Sequence, residues 1–99
     1  MRIPIDQKKI ADFCRRHHIR KLAFFGSVLR DDFRPDSDVD VLAEFEAGHT
    51  PGFIRLYQIE EELAAFVGGH QPDLVTPGFL NRRIRNRVLA EAEIQYAEG

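Results

Sequence analysis

The sequence predicts an α/β or α+β sandwich in which a small mixed three-stranded sheet is flanked by about four helices. Short apolar runs of strand length alternate with longer segments whose apolar residues recur at helical spacing. Clusters of Gly, Pro, Asp and Ser separate these segments, as is typical of turns. With 99 residues, of which 43% are hydrophobic, the chain can build one packed core. We therefore expect a single domain over residues 1–99, with the element order α-β-α-β-α-β-α.

The first helix and the first strand are predicted from the spacing of apolar residues. Residues 6–18 carry Ile10, Phe13 and Cys14 on one helical stripe among charged neighbours. The run 22–25 is short, apolar and aromatic, and it stops at a glycine. These properties favour a buried strand.

The middle of the chain is predicted to contain a short helix, a loop and a second strand. Ser27 is expected at or near the N-cap of the short helix. Residues 31–37 are polar and rich in turn-forming residues, so they are predicted to form a loop. The alternating pattern that starts at Val39 predicts a strand over residues 38–45.

The second half of the chain is predicted to form a helix, a strand and a helix. The first of these helices ends at a Gly-Gly pair and has the apolar face Phe53, Leu56, Tyr57, Leu63, Phe66 and Val67. Residues 73–76 are a short apolar run that is predicted to be a strand. The last helix is predicted from about Gly78 to Ala97, with the inner stripe Leu80, Ile84, Val88 and Ala92.

Charge and cysteine content limit the possible settings of the chain. Its 14 Lys and Arg residues against 16 Asp and Glu give a formal net charge of −2, without the basic excess of a domain that wraps nucleic acid. We therefore do not expect RNA or DNA as the main partner. Cys14 is the only cysteine, which excludes an intrachain disulfide and favours a reducing compartment. No segment has the apolar length that spans a bilayer, so we expect a cytoplasmic protein without a membrane partner.

Asp38 and Asp40 are the first candidates for chemistry. Residues two apart on a strand point to the same face, with Cα atoms about 6–7 Å apart, so the two carboxylates would converge. A divalent cation would offset their repulsion, and carboxylate oxygens suit Mg²⁺. On this pair alone, the solvated face of an edge strand is the simpler interpretation. A calcium loop is excluded because Val41 and Ala47 occupy the positions of its required glycine and glutamate.

Gly26-Ser27 and Asp73 are the other candidates. A glycine that ends a buried strand lets the backbone approach a ligand closely. The helix N-terminus that follows offers N–H groups to phosphate, and Ser27 adds a hydroxyl donor. The same dipeptide is also typical of an ordinary strand-to-helix turn. Asp73 opens the predicted third strand, and its carboxylate can join the other two only if that strand is their neighbour.

Taken in order, these features resemble a known family. Gly26-Ser27 is followed after ten residues by Asp38-Val39-Asp40, and later by Asp73 on a strand of its own. This pattern is similar to that of the polymerase-β-type nucleotidyltransferase superfamily, and specifically its minimal nucleotidyltransferase (MNT) branch. Further segments that resemble this branch are 24–30, 36–42, 48–52, 73–77 and 91–97, so the resemblance covers almost the whole chain.

The resemblance implies the minimal nucleotidyltransferase fold and a two-metal displacement at the α-phosphate of a nucleotide. It implies that Asp38, Asp40 and Asp73 are the catalytic residues and hold two Mg²⁺ ions. It also implies that Gly26 and Ser27 bind the triphosphate of ATP, the nucleotide substrate. No nucleophile from the chain is required, because the second substrate supplies the acceptor hydroxyl.

Several charged or titratable residues are weaker candidates. Arg30 follows Ser27 by one helical turn and could bind the phosphates, although a solvated arginine explains it equally. The last predicted helix carries the basic run Arg82, Arg83, Arg85 and Arg87, usually a solvated face but a possible nucleic-acid contact. The histidines lack metal-ligand spacing and are interpreted as surface or loop residues: His17, His18, His49 and His70. Cys14 is predicted to face the core.

The resemblance also implies a partner. The MNT branch is typically the antitoxin half of a two-gene prokaryotic module whose toxin is a HEPN-domain ribonuclease. We therefore expect transfer of AMP from ATP to a tyrosine hydroxyl of a HEPN-type toxin, which silences the toxin. Two alternatives stay open. A non-catalytic antitoxin would neutralise the toxin by occlusion and would need neither Asp38 nor Asp40, whereas a nucleotidyltransferase acting on RNA would need salt-sensitive RNA binding.

Overall fold

The computed structural model describes residues 3–31 and 33–98, in which a four-stranded mixed sheet has helices on both faces. In chain order the elements are α1 (Gln7–Arg16), β1 (Ile19–Phe25), a 3₁₀ helix (Gly26–Leu29), β2 (Val39–Phe45), α2 (Phe53–Ala64), β3 (Pro72–Val75), a second 3₁₀ helix (Pro77–Phe79), α3 (Arg82–Glu91) and β4 (Glu93–Ala97). The loop predicted at 31–37 is irregular, apart from Asp32, which lies outside the described residues. None of the described helices is long and apolar enough to cross a membrane.

The order of the strands in the sheet is β3-β2-β1-β4. Strand β1 is antiparallel to both β2 and β4, whereas β2 and β3 are parallel. The C-terminal end of β1 therefore lies beside the N-terminal ends of β2 and β3. In this register Phe25 pairs with Asp40, and Asp40 pairs with Asp73. The ends of these three strands therefore lie side by side.

The fourth strand corrects the prediction of three strands and of a last helix that runs to Ala97. Helix α3 ends at Glu91, and Ala92 already has extended dihedral angles (φ −65°, ψ 139°). Residues 93–97 then pair with β1. The local composition favours a helix, but pairing with the second edge of β1 satisfies backbone groups that would otherwise lack partners. Over the described residues there are three α-helices rather than about four, because the short helix after β1 is a 3₁₀ helix.

The sheet is buried on both faces, and this decides where its side chains point. Helices α1 and α2 cover one face, where Val39 and Val41 are fully buried. On the other face, Leu42 packs with Val88 of α3. Because successive residues of a strand alternate between the faces, Asp40 lies on the same face as Leu42.

Two of the predicted helix faces are only partly buried. The buried stripe of α2 consists of Leu56, Ile59 and Leu63, whereas Phe53 is 77% exposed and Tyr57 is 58% exposed. On α3 the predicted stripe holds for Val88, but Ile84 is exposed. The predicted faces were too wide, because a chain of this size cannot enclose all of its apolar surface.

Helix α1 begins and packs as predicted. Asp6 caps it by accepting hydrogen bonds from the backbone N–H groups of Lys8 and Lys9, at 3.0 and 3.3 Å. Cys14 is fully buried in the core, as expected. Burial raises the pKa of its thiol to about 12, so Cys14 stays a neutral thiol and is unsuited to nucleophilic chemistry.

His17 corrects the interpretation of all four histidines as surface or loop residues. Its side chain is only 5% exposed, and Nε2 lies 2.6 Å from Oε2 of Glu62. Arg55 donates to Nδ1 across 3.2 Å, and the ring packs on Phe13. The sequence around His17 carries no signal for such a set of partners, because both polar partners come from the distant helix α2.

Candidate active site

The turn after β1 has a backbone conformation that favours glycine. Gly26 has a φ of +76°, in the left-handed region that other residues rarely adopt. A Cβ atom added to Gly26 would lie 2.2 Å from Oδ2 of Asp40. The sequence predicted a close approach of this backbone to a ligand; in the structure, the space beside Gly26 is occupied by the carboxylate of Asp40.

The register of two parallel strands brings Asp40 and Asp73 side by side. Each is the second residue of its strand, and their Cα atoms are register partners. Asp40 is half-buried and Asp73 is exposed. Asp38 is also exposed and lies just before β2 rather than within it. The predicted third strand is thus the neighbour of β2. The three predicted acids Asp38, Asp40 and Asp73 lie where the strand ends meet, and we call this group the acidic edge.

Burial and neighbouring charges raise the pKa of Asp40. Loss of solvation is the largest cause, followed by the negative charges of Asp73 and Asp38, while the positive charge of Arg30 acts in the opposite direction. Each of the raising effects disfavours the ionised carboxylate. A cation at this edge of the sheet would reduce the repulsion among the three acids, so the site favours positive charge.

Carboxylate oxygens are the type of donor that suits Mg²⁺. Within residues 3–31 and 33–98, however, no group of three His, Cys, Asp or Glu side chains is arranged to hold a metal ion. Mg²⁺ commonly takes only one or two carboxylates from a protein and completes its shell with water and substrate phosphates. The arrangement therefore suits an ion that arrives with a phosphate ligand.

Ser27 and Arg30 occupy positions that differ from the predicted ones. The 3₁₀ helix has Phe25 as its N-cap residue and no capping side chain, so Ser27 lies within the turn. Arg30 is the first residue after it and is extended, with its N–H donating to the Ser27 carbonyl at 2.9 Å. Arg30 is therefore not one turn further along a helix, as predicted. Its charge nevertheless acts on Asp40.

Two further side chains support the strands of the site and were not singled out from the sequence. Nδ1 of His70 lies 2.9 Å from the carbonyl oxygen of Ser37. The backbone N–H of Leu74 donates to Oε2 of Glu60 at 2.6 Å, which satisfies a donor of the edge strand β3. These contacts join residues 33 and 14 positions apart, so no local pattern could indicate them.

The whole arrangement agrees with a known sequence family. The sequence model of the family described as "Nucleotidyltransferase domain" matches residues 7–95. The chain belongs to this family. The match runs from α1 into β4 and includes all the residues of the acidic edge and of the turn after β1.

Individual relatives of this nucleotidyltransferase agree with the assignment. Protein adenylyltransferase MntA of Thermococcus cleftensis is 37% identical over 76 residues, which are 77% of this chain and 74% of the relative. A solved structure described as a minimal nucleotidyltransferase is 34% identical, with a TM-score of 0.70, over 87% of this chain and 85% of that chain. The predicted minimal nucleotidyltransferase fold is therefore confirmed.

A more distant structural neighbour of this nucleotidyltransferase comes from Shewanella oneidensis. It is a tri-AMPylated HEPN toxin in complex with an MNT antitoxin. The match has a TM-score of 0.61 and 20% identity, and it covers 92% of this chain and 69% of that chain. At this level of identity the likeness shows a shared fold alone.

Proposed function

We propose that this nucleotidyltransferase transfers AMP from ATP to a tyrosine hydroxyl of a partner HEPN-type ribonuclease toxin and so acts as its antitoxin. The observation that carries the proposal is the pairing of Asp40 with Asp73 directly beside the backbone of Gly26. This arrangement sets a turn suited to phosphate against an acidic edge suited to metal. The identity to a protein adenylyltransferase supports a protein acceptor. The cytoplasm is the proposed setting, because ATP and reducing conditions, which suit the free Cys14, occur there.

Each group at the site has a distinct proposed part. The backbone of the turn at Gly26 and the hydroxyl of Ser27 would donate hydrogen bonds to the triphosphate, the missing side chain of Gly26 leaves room for Asp40, and Arg30 offsets phosphate charge. The three aspartates at the acidic edge would hold two Mg²⁺ ions. Bound Mg²⁺ supplies a lower pKa for the acceptor hydroxyl and charge compensation for the departing pyrophosphate.

The transfer itself needs no nucleophile from this chain. The tyrosine oxygen forms a bond to the α-phosphorus, the bond from that phosphorus to the oxygen bridging to the β-phosphate breaks, and pyrophosphate leaves with the electron pair. The phenolic proton passes to solvent. The chain contributes by orienting the two substrates and by arranging charge in advance.

Calorimetric titration of ATP, with and without Mg²⁺, tests the site. We expect ATP binding that depends on Mg²⁺ and that Asp38→Asn weakens at least about tenfold, because a ligand of the metal is lost. Asp36→Asn is the matched control, since Asp36 is an exposed acid two residues away that has no proposed part in the site. Equal affinity of the wild-type chain and Asp38→Asn would show that the acidic edge is not the metal site.

The structure favours neither alternative function. A purely occluding antitoxin would gain nothing from a carboxylate whose ionised form is disfavoured at the sheet edge. For RNA modification, the arginine run would need to form a uniform basic face. Arg85 is instead partly buried and donates to the carbonyl of Leu80 at 3.0 Å. AMP transfer to a protein therefore remains the proposed function.

A further inference from the structure

His70 connects the segment that carries Asp38 to the strand that carries Asp73. It follows the turn after α2, where two glycines adopt positive φ angles, and it precedes β3. Its Nδ1 lies 2.9 Å from the carbonyl oxygen of Ser37. Because a carbonyl oxygen can only accept, Nδ1 carries the proton and donates. The hydrogen bond thus reaches the residue immediately before Asp38.

The ring of His70 also contacts Phe33. The two ring centroids are 4.7 Å apart at an interplanar angle of 44°. Phe33 in turn packs against the main hydrophobic core. The imidazole therefore contacts residues 33–37 at both ends, through the ring contact at the start and the hydrogen bond at the end.

The regular pairing of β2 with β3 begins only beyond this contact. The N–H of Val39 donates to the carbonyl of Gln71 at 2.9 Å, and the first register pair is Val39 with Pro72. Pro72 has no N–H with which to extend the ladder. Asp38 precedes β2 and is exposed, so its position depends on how the preceding residues are held.

Electrostatic repulsion among the three carboxylates favours displacement of Asp38 from the other two. After loss of solvation, the charges of Asp73 and Asp38 are the next causes of the raised pKa of Asp40. The three carboxylates therefore repel one another until a cation binds. The contacts of His70 with residues 33–37 hold the segment just before Asp38, whose carboxylate lies outside the strands, and so oppose this repulsion.

We propose that His70 is a positioning residue for Asp38, which it holds at the acidic edge by donating to the Ser37 carbonyl and packing on Phe33. The inference rests on the proposed function, since it assigns Asp38 to Mg²⁺. A site arranged in advance loses less free energy on binding. Loss of these His70 contacts therefore weakens the apparent affinity for Mg²⁺ and leaves the rate of AMP transfer at saturating Mg²⁺ nearly unchanged.

The Mg²⁺ dependence of ATP binding, measured by calorimetry, and that of AMP transfer test the role of His70. His70→Phe keeps an aromatic ring against Phe33 and removes the donor. We expect the Mg²⁺ concentration at half-maximal ATP binding to rise about threefold to tenfold, which corresponds to the free energy of one hydrogen bond. The transfer rate at saturating Mg²⁺ should stay within about twofold of wild type. His70→Asn, whose amide nitrogen can replace Nδ1 but which lacks the ring, should restore part of the affinity.

His17 provides a matched control. It is also hydrogen-bonded and packs on a phenylalanine, with its ring centroid 4.8 Å from that of Phe13. It lies beside the N-terminal end of β1, at the sheet edge opposite the carboxylates. His17→Phe should lower thermal stability without a change in the Mg²⁺ midpoint. Phe33→Leu, which loses the ring contact with His70, should raise the midpoint.

The outcomes separate the inference from the proposed function. An unchanged Mg²⁺ midpoint in folded His70→Phe overturns the role of His70, and so does an unchanged midpoint in Phe33→Leu. An equal shift in His17→Phe also overturns it, because the shift would then reflect stability alone. Wild-type ATP binding that does not respond to Mg²⁺ would instead overturn the proposed function, and the inference with it.

Discussion

Replacement of Asp40 by asparagine is expected to abolish AMP transfer and at the same time to stabilise the folded chain. The change keeps the size of the side chain and removes the central charge of the acidic edge. AMP transfer should fall at least about 100-fold, because metal-assisted charge stabilisation is worth several kcal/mol. The gain in unfolding free energy should be only about 0.5–1 kcal/mol, because Asp40 is half-buried and solvent screens part of its repulsion with the neighbouring carboxylates.

The gain in stability should depend on pH with a defined sign. The pKa of Asp40 is raised above 3.8, first by loss of solvation and then by the neighbouring carboxylates. The folded chain therefore binds this proton more tightly than the unfolded chain, so ionised Asp40 costs stability above its folded pKa. The cost shrinks as the pH falls through the folded pKa and is lost only below 3.8, the ordinary value. The advantage of Asp40→Asn should thus be larger at about pH 7 than at about pH 4.

Denaturant unfolding at these two pH values measures the effect, and Asp36→Asn again serves as the control. Asp36 is exposed in the loop before the acidic edge, so its replacement should change neither stability nor AMP transfer appreciably. An Asp40→Asn chain that is less stable than wild type at neutral pH would contradict our description of the edge as a site of mutual repulsion.

A methyl group at Gly26 is expected to damage both the fold and nucleotide binding. The added Cβ would lie 2.2 Å from Oδ2 of Asp40, and the backbone φ is +76°. The left-handed backbone alone costs a residue other than glycine about 1–2 kcal/mol. Displacement of the Asp40 carboxylate should in addition lower the affinity for ATP with Mg²⁺ at least about tenfold.

Gly48→Ala separates the two effects of Gly26→Ala. Gly48 has a φ of +80°, and a Cβ added there would meet no atom within 4 Å. Gly48→Ala should therefore carry the backbone cost alone and bind ATP normally, as measured by denaturant unfolding and calorimetry. Equal ATP affinities of the two folded alanine variants would refute the close approach of Gly26 to Asp40 as the reason for this glycine.

The parts of the site that the sequence predicted are those that follow from local periodicity. The alternating pattern that starts at Val39 predicted a strand, and in the structure β2 has Val39 and Val41 buried on one face and Asp40 on the other. The pattern of Gly26 followed by a spaced Asp-x-Asp motif resembled a family. That resemblance implied that Asp73, on another strand, joins Asp38 and Asp40. The register that joins Asp40 to Asp73 is a property of the sheet, and only the structure shows it.

The parts that the sequence did not predict depend on contacts between distant residues. Strand β4 follows α3 without a glycine or proline to mark the boundary, and its residues pair with residues of β1 that lie far earlier in the chain, for example Tyr96 with Leu22. The hydrogen bond from His70 to Ser37 is likewise invisible to local patterns. The ends of short helices are also hard to predict: Ser27 was expected at or near the N-cap, and it lies two residues after the N-cap residue Phe25.

The intact mass of the proposed partner, a HEPN-type toxin, is the most direct measurement of the proposed AMP transfer. The two proteins are incubated with ATP and Mg²⁺, and the toxin is then analysed by mass spectrometry with peptide mapping. We predict a mass gain of whole AMP units on a tyrosine of the toxin, absent when Asp38→Asn replaces the wild-type chain. An unchanged toxin mass in a stable complex of the two proteins would contradict AMP transfer and favour an antitoxin that acts by occlusion.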